Sequence, residues 1–303
     1  MKRWVLVGLV TLLAAGCTPQ PPEPAAVPTP TPARPVAPTA TPSPTAAPTP
    51  APPPTPQAEP TPLEVDTMVR ITVVYDNNAY DAALQTAWGF SALVETAAAT
   101  VLFDTGGDAP TLLSNMAALG IDPHTIDAIA LSHIHRDHTG GLAGLLDTGI
   151  RPTVYAPAAF PTDFKNTVSA RTDMVEVTGP MQIAPGIHVT GEVGTDIVEQ
   201  ALVVETTDGL VVVCGCAHPG VVEMTRRAAE SVGTQIALVM GGFHLGQATQ
   251  AQISRTIDGL NALNVQRVAP SHCTGDPARQ AFSAAFGENY VLIGAGAVLD
   301  LER

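Results

Sequence analysis

The sequence predicts an α/β domain of layered type over residues 66–303, with mixed sheets flanked by helices. Three observations carry that expectation. Short runs rich in Val and Ile alternate with single helical segments. Some neighbouring runs are joined by tight turns, as hairpins, rather than by helices. Finally, His133, Cys216, His244 and His272 each fall just past the end of a predicted strand, where α/β folds collect functional side chains.

In order along the chain, "VRITVVYD" reads as a strand and "SALVETAAATVLFDTG" as two strands around a small-residue turn. "APTLLSNMAALGI" has helical apolar spacing, with Gly120 as its stop. "AIALSH" is a short buried strand that delivers His133, and "TGGLAGLLDTG" opens and forms one helix. Strands follow at "RPTVYAP", "IHVTGEVG" and the hairpin "ALVVETTDGLVVVCGC". "PGVVEMTRRAAESVG" is a helix with Pro near its first turn and Gly at its end. The remainder reads strand "QIALVMGGFH", helix "TQAQISRTIDGLNALNV", strand "VQRVAPSH", helix "DPARQAFSAAF" and closing strand "YVLIGAGAVLDL".

Both what precedes this domain and its composition narrow the function classes. Residues 1–17 combine a basic start, a short apolar run and "LLAAGC", the pattern of a lipoprotein-type signal ending at Cys17. The run is short for a membrane span. Nineteen of the chain's 29 prolines lie in residues 19–62, interleaved with Thr and Ala. Residues 18–65 therefore read as a disordered spacer with little apolar surface to bury, able to reach on the order of 100 Å. The expectation is an exported protein, lipid-anchored to the cell membrane at Cys17. The net charge is -14 and lysine occurs only twice, so no basic stripe marks a nucleic-acid surface. Its partner is expected to be a small-molecule substrate. Three cysteines remain besides Cys17, an odd number that does not read as a disulfide framework.

The chemistry concentrates in "LSHIHRDHTGG". In extended chain, residues two apart point the same way, so His133 and His135 can offer imidazoles to one cation. Asp137 and His138 follow where the chain turns into a helix, displaced enough to serve a second cation. Gly140 and Gly141 let the backbone turn tightly there.

These residues resemble the signature of the metallo-β-lactamase fold superfamily, and the resemblance covers essentially all of 66–303. "LFDTGG" with Asp104 and "APSHCTG" with His272 match further family positions. "YDNNA", "GCAHPG", "GGFHL" and "PSHCTG" together are similar to the dihydropterin-ribofuranosylaminobenzene-phosphate synthase-like group. The resemblance implies an αββα four-layer sandwich with one or two divalent metal ions, zinc first, with iron or manganese as alternatives. One departure matters. The stretch before the 201–216 hairpin, "TDIVEQALVV", lacks the histidine most members carry there. His218 is the expected substitute, giving His133, His135 and His218 to one metal and Asp137, His138 and His272 to the other. Cys216 reads either as an extra ligand or as a small buried hydrophobe, and Cys214 as core.

Asp104 is expected to orient a ligand histidine, and His244 to donate a proton or contact substrate. Asn77 and Asn78 read as turn formers, Arg136 as a pocket rim or plain surface residue, and His124 and His188 as surface or turn histidines. Metal-activated hydroxide attacking an ester, lactone, amide or phosphoester is the leading function, with Asp137 helping to orient it. A carbon–nitrogen bond-forming synthase and a non-catalytic tethered metal-binding protein are the alternatives.

Overall fold

The computed structural model describes residues 68–303 except Thr234. The expected signal, Cys17 anchor and spacer lie outside the described residues. No helix among the described residues is long and apolar enough to cross a membrane.

Two sheets stack face to face. The first has seven strands, β1 (Met68–Asp76), β2 (Phe90–Glu95), β3 (Thr100–Phe103), β4 (Ala128–Ala130), β5 (Thr153–Pro157), β6 (Met174–Val177) and β13 (Val298–Glu302), in the order β13-β1-β2-β3-β4-β5-β6. The second contains β7 (Met181–Ala184), β8 (Ile187–Val189), β9 (Leu202–Thr206), β10 (Gly209–Cys214), β11 (Ile236–Gly242) and β12 (Arg267–Ser271), in the order β12-β11-β10-β9-β8-β7. Alternation along each strand divides the apolar residues between two layers. Val69, Ile71 and Val73 of β1 meet Val211, Val213, Leu238 and Met240 of the opposite sheet in the central core. Leu210, Val212 and Cys214 point the other way, against the outer helices. Cys214 is thus core, as expected. A register shift between Val73 and Tyr75 turns Tyr75 to the outer face.

Helices cover both outer faces, completing four αββα layers. Helices α1 (Ala109–Ala118), α2 (Arg136–Thr139), α3 (Leu142–Asp147) and α4 (Thr162–Ser169) flank the first sheet; α5 (Val221–Ser231), α6 (Gln250–Ala262) and α7 (Asp276–Phe286) flank the second. Asp108 caps α1 by accepting from Thr111 N–H, and Thr249 and Gln252 form a reciprocal capping box on α6. Strands β3 to β6 run parallel, as do β10 to β12, so their carboxyl ends open on shared edges.

The sequence reading needs correction in four places. The helix expected over 139–149 is shorter, α3 alone, and Arg136–Thr139 forms the separate α2, because the Gly140–Gly141 junction presses onto the 105–107 loop. A Cβ at Gly140 would lie 2.1 Å from Gly107 O, and one at Gly141 2.1 Å from Thr105 O. The strand expected over 187–194 stops at Val189, and Gly191 (φ 70°) bends the chain against Gly179. The closing strand begins at Val298 rather than at residue 290. Its intended first half bonds elsewhere, with Val291 N–H donating to Val268 O and Ala295 N–H to Asn78 O. Helix α4 and strands β6 and β7 are additional elements. They bury few side chains, so no apolar period announces them.

Candidate metal centre

The site forms where strand ends from both sheets meet. Asp104 follows β3, His133 follows β4, Cys216 and His218 follow β10, His244 follows β11 and His272 follows β12. Asp104, Ala217, His244 and His272 all have φ between 47° and 57° although none is glycine. Each costs on the order of 1–3 kcal/mol, and such strain clusters where side-chain placement matters.

Proton bookkeeping on the imidazoles shows what the site is built to hold. Asp104 accepts from the Ser132 backbone N–H at Oδ1 (2.7 Å), and at Oδ2 from the Ser132 hydroxyl (2.7 Å) and His138 Nδ1 (2.7 Å). A carboxylate only accepts, so His138 carries a proton on Nδ1. With its own hydrogen given to Asp104, Ser132 Oγ accepts from His133 Nδ1 at 2.9 Å. Asn77 Oδ1 likewise accepts from His272 Nδ1 at 2.7 Å, while its amide donates to His272 O at 3.2 Å. All three rings therefore present Nε2 to the space between the sheets. Asp104 is the orienting residue expected of it. Asn77, expected only to form a turn, is a second one. Asn78 does serve the turn, donating to Asp76 from its backbone and its amide.

Those nitrogens gather into two neighbouring groups. In one, His133 Nε2 lies 3.1 Å from His135 Nδ1 and 3.2 Å from His218 Nε2. Burial, with help from the surrounding histidines, pushes the His133 pKa far below the usual imidazole range, so that ring is neutral. Burial and His244 likewise take His218 down to about 4. With its proton on Nδ1, His133 Nε2 has one lone pair for two neighbouring imidazole nitrogens, a crowding that a cation between the three rings resolves. In the other group, Asp137 Oδ2 lies 3.5 Å from His138 Nε2 and 3.4 Å from His272 Nε2. Cys216 Sγ stands 3.3 Å from His138 Nε2. His272 Nε2 is buried with no hydrogen-bond partner, an orphan that a metal would satisfy. Burial opposes charge on His138, but the Asp104 and Asp137 carboxylates outweigh it and push the ring up to about 10. An arriving cation must displace that proton from Nε2. Burial opposes the charge on Asp137, but the adjacent His138 and His272 rings outweigh it and hold the carboxyl well below the usual carboxylate range.

The structure thus brings together all seven expected ligands in the expected two sets. Cys216 points into the centre rather than the core and lies within reach of both groups. His244 is exposed, its ring centroid 4.2 Å from that of His218, and a hydrogen bond to Cys273 raises its pKa. It lies on the wall of two cavities of about 570 and 490 Å³, one bounded by Trp88 and Leu245, the other by Asp196 and Glu223. Arg136 is exposed and lines neither cavity. His124 pairs with Asp122 at the surface and His188 with Glu205, away from the site.

Glu199 escaped the sequence reading. It is fully buried and accepts from three consecutive backbone N–H groups, those of Cys216 and Ala217 at Oε1 (2.9 and 2.8 Å) and His218 at Oε2 (2.9 Å). The left-handed turn at Ala217 aims these donors inward, as in an anion-binding nest. Glu199 therefore fixes the loop that carries Cys216 and His218. The only signal was a lone carboxylate leading into an apolar strand. Trp88 is the other omission: its indole is 60% exposed, yet its ring centroid sits 4.8 Å from that of His272, forming a shelf beside the centre.

Comparison with known proteins agrees with this geometry. The family model for the metallo-beta-lactamase superfamily matches residues 89–222. A 7,8-dihydropterin-6-methyl-4-(beta-D-ribofuranosyl)-aminobenzene-5'-phosphate synthase from Methanocaldococcus jannaschii is 30% identical over 78% of this chain and 97% of its own. The chain belongs to the metallo-beta-lactamase superfamily. Among solved structures, a metal-dependent hydrolase of the beta-lactamase superfamily is 28% identical with a TM-score of 0.65, over 78% of this chain and all of that one. A metallo-beta-lactamase fold protein from Bacillus subtilis (15% identical, TM-score 0.59, 77% of this chain and 99% of its own) shares the fold. Family and donor cluster together point to an enzyme with a divalent-metal site.

Proposed function

We propose that the chain is a metal-dependent hydrolase of a small ester, lactone, amide or phosphoester. One observation carries the reading: three buried histidines are each tied at Nδ1, so that their Nε2 atoms, together with Asp137, His135 and His218, converge beside open cavities. The mixed His/Asp/Cys donor set suits zinc first, with iron and manganese also compatible. When bound there, a divalent ion supplies Lewis acidity and makes water acidic enough to attack near neutral pH. The chain's own residues supply the rest. Asp104, Ser132 and Asn77 fix the ligand tautomers, Glu199 holds the Cys216–His218 loop, and Asp137 orients the attacking water by accepting its hydrogen bond. His244, exposed between the two cavities, is placed to protonate a leaving group.

The relatedness to the Methanocaldococcus jannaschii synthase supports a second reading, carbon–nitrogen bond formation on a dihydropterin. The "LLAAGC" signal pattern and proline-rich spacer favour hydrolysis, because they read as an exported, lipid-anchored protein away from cytosolic pterin substrates. A panel of activated esters, lactones and phosphodiesters, run with zinc-loaded and chelator-treated full-length protein, tests the proposal. Metal-dependent turnover of at least one substrate is expected. No turnover of any panel member, with product formed instead from a dihydropterin diphosphate and an arylamine, would replace it with the synthase reading.

A further inference from the structure

We propose that Cys216 and Cys273 form a dithiol that a hydroperoxide converts to a disulfide, withdrawing Cys216 from the metal-facing cluster. The two residues follow β10 and β12, and β11 runs between those strands. A side chain on β11 would ordinarily separate them. Gly242 leaves that place open: a Cβ there would lie 2.8 Å from Cys273 Sγ and 3.1 Å from Cys216 Cα. Through the gap the two sulfurs lie within 4.8 Å of one another, and Cys273 Sγ donates to Cys216 O at 3.7 Å.

Access and selectivity follow from the surroundings. Cys273, though buried, lines the cavity of about 570 Å³ whose wall also carries Trp88 and His244, the side from which a small oxidant would approach. The His244 backbone N–H donates to Cys273 Sγ at 3.3 Å and so helps fix the sulfur in place. Cys216 lies behind it, its sulfur 3.3 Å from His138 Nε2. Cys214 faces the outer layer with Val212 and Met224 and cannot join.

The chemistry balances in two steps. Cys273 sulfur attacks hydrogen peroxide, breaking the O–O bond to give the sulfenic acid and one water. Cys216 sulfur then attacks that sulfenic sulfur and expels a second water as the disulfide forms. Two thiols lose two electrons and two protons, and one peroxide becomes two waters. Reaching an S–S bond of about 2.05 Å draws the sulfurs together by up to roughly 2.8 Å, turning Cys216 Sγ away from His138.

Full-length protein, metal-depleted and zinc-loaded, is treated with hydrogen peroxide, alkylated in denaturant and mapped by mass spectrometry. A Cys216–Cys273 linked peptide is expected, two hydrogens lighter than the reduced pair, reversed by dithiothreitol and formed more slowly with zinc bound. Cys214 should be recovered alkylated. In Cys216→Ser, Cys273 should stop at a sulfenic acid that dimedone traps. Oxidation of Cys273 straight to sulfinic acid in the wild type, a link through Cys214, or no reaction at all would overturn the proposal.

Discussion

Replacing Asp104 with Asn changes one buried oxygen to an amino group and tests how ligand tautomers are set. The amide can face either way. Placed at Oδ1, its NH2 would meet the Ser132 backbone N–H at 2.7 Å, two donors that cannot rotate apart. It therefore takes the Oδ2 position and donates to Ser132 Oγ and to His138 Nδ1. His138 must then carry its proton on Nε2. Ser132, now an acceptor from the amide, turns its hydroxyl hydrogen to His133 Nδ1, and His133 moves its proton to Nε2 as well. One atom thus blocks a lone pair in each ligand group while every hydrogen bond keeps a partner. Losing such an orienting partner typically costs 10–100-fold in metal affinity, about 1.4–2.7 kcal/mol per position. Competition titration with a chromophoric chelator reads the affinity, and nitrogen-15 shifts of the imidazoles read the tautomer. Thermal stability of the chelated protein should move by less than about 1 kcal/mol, the scale of one net hydrogen bond. Unchanged metal affinity, or Nε2 still unprotonated in the variant, would refute the reasoning.

Other substitutions probe other layers. His218→Ala should remove about one equivalent of metal, as should His135→Ala, because both serve the group around His133, whereas Cys216→Ser should keep two equivalents and shift preference away from softer ions; elemental analysis distinguishes them. Phe243→Ala empties a fully buried site where the ring meets Phe282 at 5.4 Å, and should cost about 3–5 kcal/mol, or roughly 10 °C in melting temperature. If Cys17 carries a lipid, wild-type protein should pellet with membranes and Cys17→Ser should leave the signal uncleaved or release the protein; a wholly cytosolic wild type would contradict export.

How much of this was legible in the sequence depended on whether a signal was local. His133, His135, Asp137 and His138 share one strand end and helix start, so their spacing announces the site, and His272 and His218 sit beside strand ends recognisable by their apolar runs. Alternation could not separate Cys214 from Cys216, which are two residues apart; β10 ends at Cys214, and the turn through Ala217 carries Cys216 to the site. Glu199 was hidden because its partners are backbone N–H groups 17 to 19 residues away, and backbone donors leave no mark in a sequence. Asn77 was hidden similarly, since turn formation explains an Asn locally, while its contact with His272 spans 195 residues. The break at Gly140–Gly141 depends on a loop pressing from outside the segment, which helical spacing cannot register.

The most direct test of the two-group metal centre is elemental analysis of full-length protein beside its His272→Ala variant, both saturated with zinc and freed of excess. Two equivalents for the wild type and about one for the variant are expected, since His272 serves only the group around Asp137 and His138. A wild type that holds no metal, or a variant that keeps both equivalents, would contradict it.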